Sequence, residues 1–191
     1  MKLENLKDVL ELFGQIGGRG NENCVFYASE DQVGVSERGT IAKPVIGGVV
    51  NGLTGGIGGL VGGIIEDAMD SGKPIQEFGQ ELNLDVLNNY RQFLINETEE
   101  TIAIIPMQFK SRWNWKTEGA EVFPESGRVI PKSVIDKIEI KKFMVITPTI
   151  RGLKIQLIDG YKLGFMVATN VKTLPYHIEN FKKFQEKYKK R

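Results

Sequence analysis

One histidine and one cysteine bound the chemistry this chain can attempt. A Ser-His-Asp or Cys-His arrangement would have to recruit His177, which lies beside the apolar stripe of a C-terminal helical pattern. Nucleophilic catalysis needs a positioned base and a group that orients it, and the sequence offers no such set. Cys24 and His177 cannot by themselves furnish a zinc site of nitrogen and sulfur ligands. Glu97, Glu99 and Glu100 fall in a polar connector, and nothing there singles one out as a general acid or base. A carboxylate site assembled only in three dimensions stays open. The glycines between Gly14 and Gly20 do not make a phosphate loop. Such a loop needs a strand before it and a helix after it, whereas here a helix precedes and a strand follows. The expectation is a non-enzymatic protein with no cofactor and no metal.

Two groups of cations are candidates for binding anions. In Phe109-Lys110-Ser111-Arg112-Trp113-Asn114-Trp115-Lys116, cations alternate with aromatics. Lys110, Arg112 and Lys116 could meet phosphates or lipid headgroups, with Trp113 and Trp115 at the interface. The competing reading makes the tryptophans core and the cations solvated, a division that alternation alone would produce. The second group, Lys182, Lys183 and Lys187, lies on one side of the C-terminal helix. It faces the same choice.

The most unusual segment is apolar. Pro44 to Ile65 runs 22 residues without a charge and holds nine glycines, among them Gly48, Gly52 and Gly56 at four-residue spacing. That spacing places glycines on one helix face, where a second backbone could approach closely. As one helix the run would reach roughly 33 Å, about a bilayer core. Against this, each glycine costs a helix interior about 1 kcal/mol relative to alanine. Glycine doublets such as Gly55-Gly56 and Gly62-Gly63 could break the run into a hairpin. Three readings stay open: a spanning helix, reversible membrane or partner contact, and a hairpin packed on a soluble core. The contact candidates are Leu53, Ile57, Leu60, Val61 and Ile64.

The elements that must position these groups are legible in outline. Residues 1–20 read as an amphipathic helix with Leu3, Leu6, Leu10 and Phe13 on one stripe, ended by Gly14, and a linker. Residues 21–43 read as a β-hairpin, with Cys24–Ser29 and Val33–Ser36 as its strands. After the Gly-rich segment, 44–69, residues 70–100 read as a helical connector. Its apolar side runs from Ile75 through Tyr90, Phe93 and Leu94, with a break near Asn83. From Thr101 the period changes to two. Pro106 closes one strand, and Val134, Ile138 and Ile140 share parity in another. Asp159-Gly160, between two alternating runs, predicts a hairpin with a type I′ turn. Ile178, Phe181 and Tyr188 then repeat at helical spacing.

Twenty-five basic and 24 acidic residues leave a net charge of +1. That balance argues against a dedicated nucleic-acid binder. A lone cysteine and an N-terminus without an apolar signal core favour a reducing, cytoplasmic setting, peripheral to the inner face of the membrane if the chain touches one.

Strands followed by a terminal amphipathic helix resemble a pleckstrin-homology or GRAM-like domain. The residues that carry the resemblance are Ser133–Ile140, Gly152–Phe165 and Tyr176–Tyr188, so it covers mainly 101–191. It implies an α+β chain with an antiparallel β-barrel and a capping helix, and a site for lipid, peptide or protein in place of catalysis. Fold does not choose among those. The expectation is a membrane-associated or lipid-surface binding module. The alternative is a soluble protein-interaction or oligomerisation module that uses the Gly-rich helical hairpin.

Overall fold

A computed structural model describes residues 1–30, 77–110, 119–142, 149–171 and 174–189. The chain is α+β, and among the described residues eight strands form one antiparallel sheet. The strands are β1 (Val25–Glu30), β2 (Gln92–Glu97), β3 (Thr101–Phe109), β4 (Ala120–Val122), β5 (Arg128–Pro131), β6 (Ile135–Lys142), β7 (Ile150–Leu157) and β8 (Lys162–Ala168). Their order is β4-β3-β2-β1-β8-β7-β6, with β5 also on β3. Only a short 3₁₀ turn, Lys132–Val134, separates β5 on β3 from β6 on β7. The chain thus passes from one margin of the sheet to the other within a few residues.

Two apolar cores lie on opposite faces. The larger gathers Phe26, Phe93, Ile95, Ile102, Ile104, Leu153, Ile155, Leu163 and Phe165 beneath helix α3 (His177–Lys187). Phe181 and Phe184 of α3 set their rings 5.1 and 4.9 Å from Phe26. The other core packs Val25, Leu94, Ala103, Ile105 and Met107 against helix α1 (Leu6–Gln15). Strands β7 and β8 contribute only to the first core, and their burial alternates.

Helix α1 starts where Asn5 accepts the Lys7 amide. It runs past Gly14, and the positive φ of Gly17 closes it as the Gly18 amide reaches the Phe13 carbonyl. Its buried stripe is Val9, Leu12 and Phe13, while Leu6 and Leu10 are only partly covered.

Several sequence expectations are corrected. The first strand forms, but its partners are β2 and β8; the second half of the expected 24–37 hairpin lies outside the described residues. The helical connector read over 70–100 gives way to strand β2 from Gln92. Phe93, Leu94 and Ile95 are all fully buried because β2 has core on both faces, which erases the period-two signal. The break near Asn83 is present: Asn83 has φ 50° and separates the short helix α2 (Glu77–Glu81) from a 3₁₀ turn at Leu84–Asn89. Pro106 does not end β3. It falls between the residues that pair with β5 (101–104) and those that pair with β4 (107–109), where no ladder bond on that side needs its amide. The Asp159-Gly160 hairpin forms, but only Gly160 has positive φ, 88°. The loop is a three-residue one, with the Gly160 amide on the Leu157 carbonyl and the Leu157 amide on the Tyr161 carbonyl.

Candidate functional site

Strand β1 ends at Glu30, opposite Phe165 of β8. The chain is described again from Glu77, at the start of α2. There the carboxylate of Asp159, in the β7–β8 turn, accepts the amides of Phe78 (2.8 Å) and Gly79 (3.4 Å) through Oδ2, and that of Tyr161 (2.9 Å) through Oδ1. Tyr161 in turn donates its hydroxyl to Asp85 Oδ1 at 2.9 Å, and its ring packs closely on Gly79. A Cβ at Gly79 would stand 2.1 Å from that ring. The described residues on either side of 31–76 therefore both meet one hairpin, β7–β8. At its tip Ile158 is 57% exposed, the most exposed large hydrophobic side chain among the described residues.

The contact candidates of the uncharged run, Leu53, Ile57, Leu60, Val61 and Ile64, lie outside the described residues. So do Arg112 and Lys116. Lys110 follows β3 and is exposed beside a shallow cavity of about 360 Å³, lined also by Met1, Leu12, Ala120, Glu121 and Val122. Lys182, Lys183 and Lys187 share α3. Lys182 is exposed. Lys183 bonds Asn23 Oδ1 at 2.8 Å and pairs with Glu179 at 3.0 Å. Lys187 is turned to Glu97 at 2.8 Å.

Two buried polar groups escaped the sequence reading. Glu97, taken as part of an acidic connector, is 2% exposed at the end of β2. Its Oε1 accepts from Lys132, Lys187 and Tyr188, and its Oε2 from the Cys24 thiol at 3.3 Å. Burial raises the carboxyl pKa, but those donors outweigh it and hold the group below its ordinary value. Burial and the Glu97 charge push the Cys24 thiol up to about 12, which keeps it protonated and unreactive.

The second group is His177. Ser29 faces Met166 across the β1–β8 ladder, so two residues back in β1 and two on in β8 bring Tyr27 level with Ala168. The ladder has already opened there, and the imidazole of His177 fills the gap. Its Nδ1 accepts the Tyr27 amide at 3.0 Å, and its Nε2 lies 2.6 Å from the Ala168 carbonyl. Asn180, one turn on, donates to the Glu22 and Val25 carbonyls at 2.7 and 3.2 Å. Helix α3 thus completes the backbone hydrogen bonding that the splayed strands leave undone. This explains why His177 and Asn180 are buried while Ile178, expected on the apolar stripe, is 41% exposed.

Among the described residues no cluster of three or more His, Cys, Asp or Glu could hold a metal, and no helix is long and apolar enough to cross a membrane. Compared with protein-family models, curated proteins and solved structures, the chain matches none.

Proposed function

We propose that the chain is a non-enzymatic membrane-associated binding module, in which the 44–65 run makes the apolar contact and the β-sheet holds it. The observation that carries this reading is that the described residues on either side of 31–76 meet at one hairpin. A 22-residue run without a charge lies between a strand paired to β8 and a helix capped by Asp159. Exposed Ile158 sits at the same turn. Apolar surface gathered at one end of a domain suits contact with a bilayer. Lys182 and Lys183, with Lys110, Arg112 and Lys116, would add headgroup attraction of about 1 kcal/mol for each cation near an anionic surface. The sheet whose two margins are joined through Lys132–Val134, with α3 on its core, supports the finer reading of a pleckstrin-homology or GRAM-like barrel.

Co-sedimentation with neutral and anionic liposomes, at low and high salt, tests the proposal. Binding that survives salt is expected for the intact chain. It should vanish when Leu53, Ile57, Leu60 and Ile64 are replaced by serine, and weaken in Ile158→Asp. Binding lost in salt alone would move the contact to the basic residues. An intact chain that stays in the supernatant throughout would overturn the membrane reading in favour of a soluble interaction module built on the glycine face.

A further inference from the structure

We propose that α3 is a pH-operated latch: protonation of His177 withdraws its imidazole from the gap between β1 and β8, and the ladder closes directly from Tyr27 to Ala168.

The geometry provides both states. In the latched state one imidazole spans two strands, accepting at Nδ1 from Tyr27 and donating at Nε2 to Ala168. Only the neutral ring with its proton on Nε2 can do both. An imidazolium carries N–H on both nitrogens, so the Tyr27 amide would lose its acceptor and face a like donor. The second state needs no new register. Ser29 is already opposite Met166, so the strands are set for Tyr27 to donate to Ala168 once the ring departs. Two alternative closures of one ladder make a bistable element.

Among the described residues nothing neutralises the charge. Rings of Tyr27, from β1, and Phe181, from α3, lie against the imidazole. Burial keeps the Tyr27 phenol uncharged up to about 12. From β8 comes the Ala168 carbonyl. On α3, Asn180 is engaged with Glu22 and Val25, and Glu179 pairs with Lys183. Among the described residues no carboxylate pairs with His177. Burial lowers its pKa below the usual 6.5, and the Ala168 carbonyl opposes this only in part. The latched state therefore binds the proton less well than the released one. It is fully favoured above about pH 6.5 and loses about tenfold per pH unit below that, until the latched ring itself protonates.

The other end of α3 answers to a different pH. Glu97, which holds Lys187 and Tyr188, has a carboxyl pKa below its ordinary value and stays ionised while His177 takes its proton. The first turn leaves and the last turn holds, so α3 swings instead of detaching. Phe181 moves with the first turn, off Phe26.

The test uses the full chain, labelled with ¹⁵N and ¹³C, between about pH 7.5 and about pH 5, the range over which an imidazole titrates. At neutral pH a scalar coupling across the hydrogen bond should join Tyr27 N to His177 Nδ1. At acid pH it should vanish and be replaced by one from Tyr27 N to the Ala168 carbonyl carbon, with β2 and β3 amides still protected from exchange. His177→Gln, whose amide offers an acceptor oxygen and an NH2 donor at every pH, should show no coupling from Tyr27 N to the Ala168 carbonyl carbon at either pH. A Tyr27–His177 coupling unchanged at about pH 5 would overturn the latch, as would loss of protection across the whole sheet together with Tyr27. Appearance of the same acid-pH coupling from Tyr27 to Ala168 in His177→Gln would do the same. If that variant does not fold, the couplings in the parent chain decide alone.

Discussion

The carboxylate of Glu97, on β2, accepts the hydroxyl of Tyr188, the residue that follows α3, and so fastens the end of the last helix to a central strand. Lys132 brings the β5–β6 turn to the same oxygen. Three parts of the chain that are distant in sequence converge on one buried group.

Removing that charge should be costly. Glu97→Gln leaves Lys132 and Lys187 without their anion and is expected to destabilise by about 3 kcal/mol, the lower range for breaking a buried pair from one side. Thermal unfolding should fall by roughly 6–12 °C for a chain of this size. The folded carboxyl pKa is depressed, so the stability it contributes is present above the ordinary 4.5 and disappears as pH falls through the folded value. The difference in melting temperature between the parent and Glu97→Gln should therefore narrow below about pH 4.5.

The Gly79–Tyr161 contact admits no side chain. Gly79→Ala should cost about 1–3 kcal/mol by overpacking. In a double-mutant cycle, Gly79→Ala with Tyr161→Leu should be less destabilising than the sum of the single changes. Strict additivity in urea denaturation would show that the ring does not press on this glycine.

Asp159→Asn keeps the shape of the cap but removes its charge and one acceptor oxygen. The expected loss is about 1 kcal/mol, typical of a weakened helix cap. It should appear as faster hydrogen exchange at Phe78 and Gly79, with the amides of β2 and β3 unaffected.

Cys24 should resist modification in the folded chain. At about pH 8 a thiol held near 12 is almost wholly protonated, and it is also buried. Reaction with a thiol reagent should be slow and follow unfolding, then become rapid in denaturant. Fast native-state labelling would contradict the placement of this side chain against Glu97.

What the sequence revealed depended on whether an element had one wet face. Strands β7 and β8 are buried on one face only, so Leu153, Ile155, Leu163 and Phe165 alternate with polar or small residues and the hairpin could be read directly. Strand β2 lies between two cores, and its run of Phe93, Leu94 and Ile95 fits a helix as well as a strand. The α3 stripe was placed correctly at Phe181, but beside that stripe His177 could equally be a surface or a packing residue, and Asn180 carried no signal. They are inside because they serve the backbone of other strands, a demand that exists only after folding. Glu97 was hidden in the same way. Its neighbours Glu99 and Glu100 are exposed, and its partners Lys132 and Lys187 come from far along the chain.

The position of β1 governs the order in which the molecule can be completed. This strand leaves the ribosome before both of its neighbours on the sheet, β2 on one edge and β8 on the other. Its amide at Tyr27 waits for a residue still later, His177. Such distant pairings form slowly, because the closure entropy of the intervening chain comes before any contact that rewards it. During synthesis Phe26 and Ala28 therefore stay incompletely covered until β8 and α3 have emerged, and nascent chains stalled before β8 should be the species that chaperones hold.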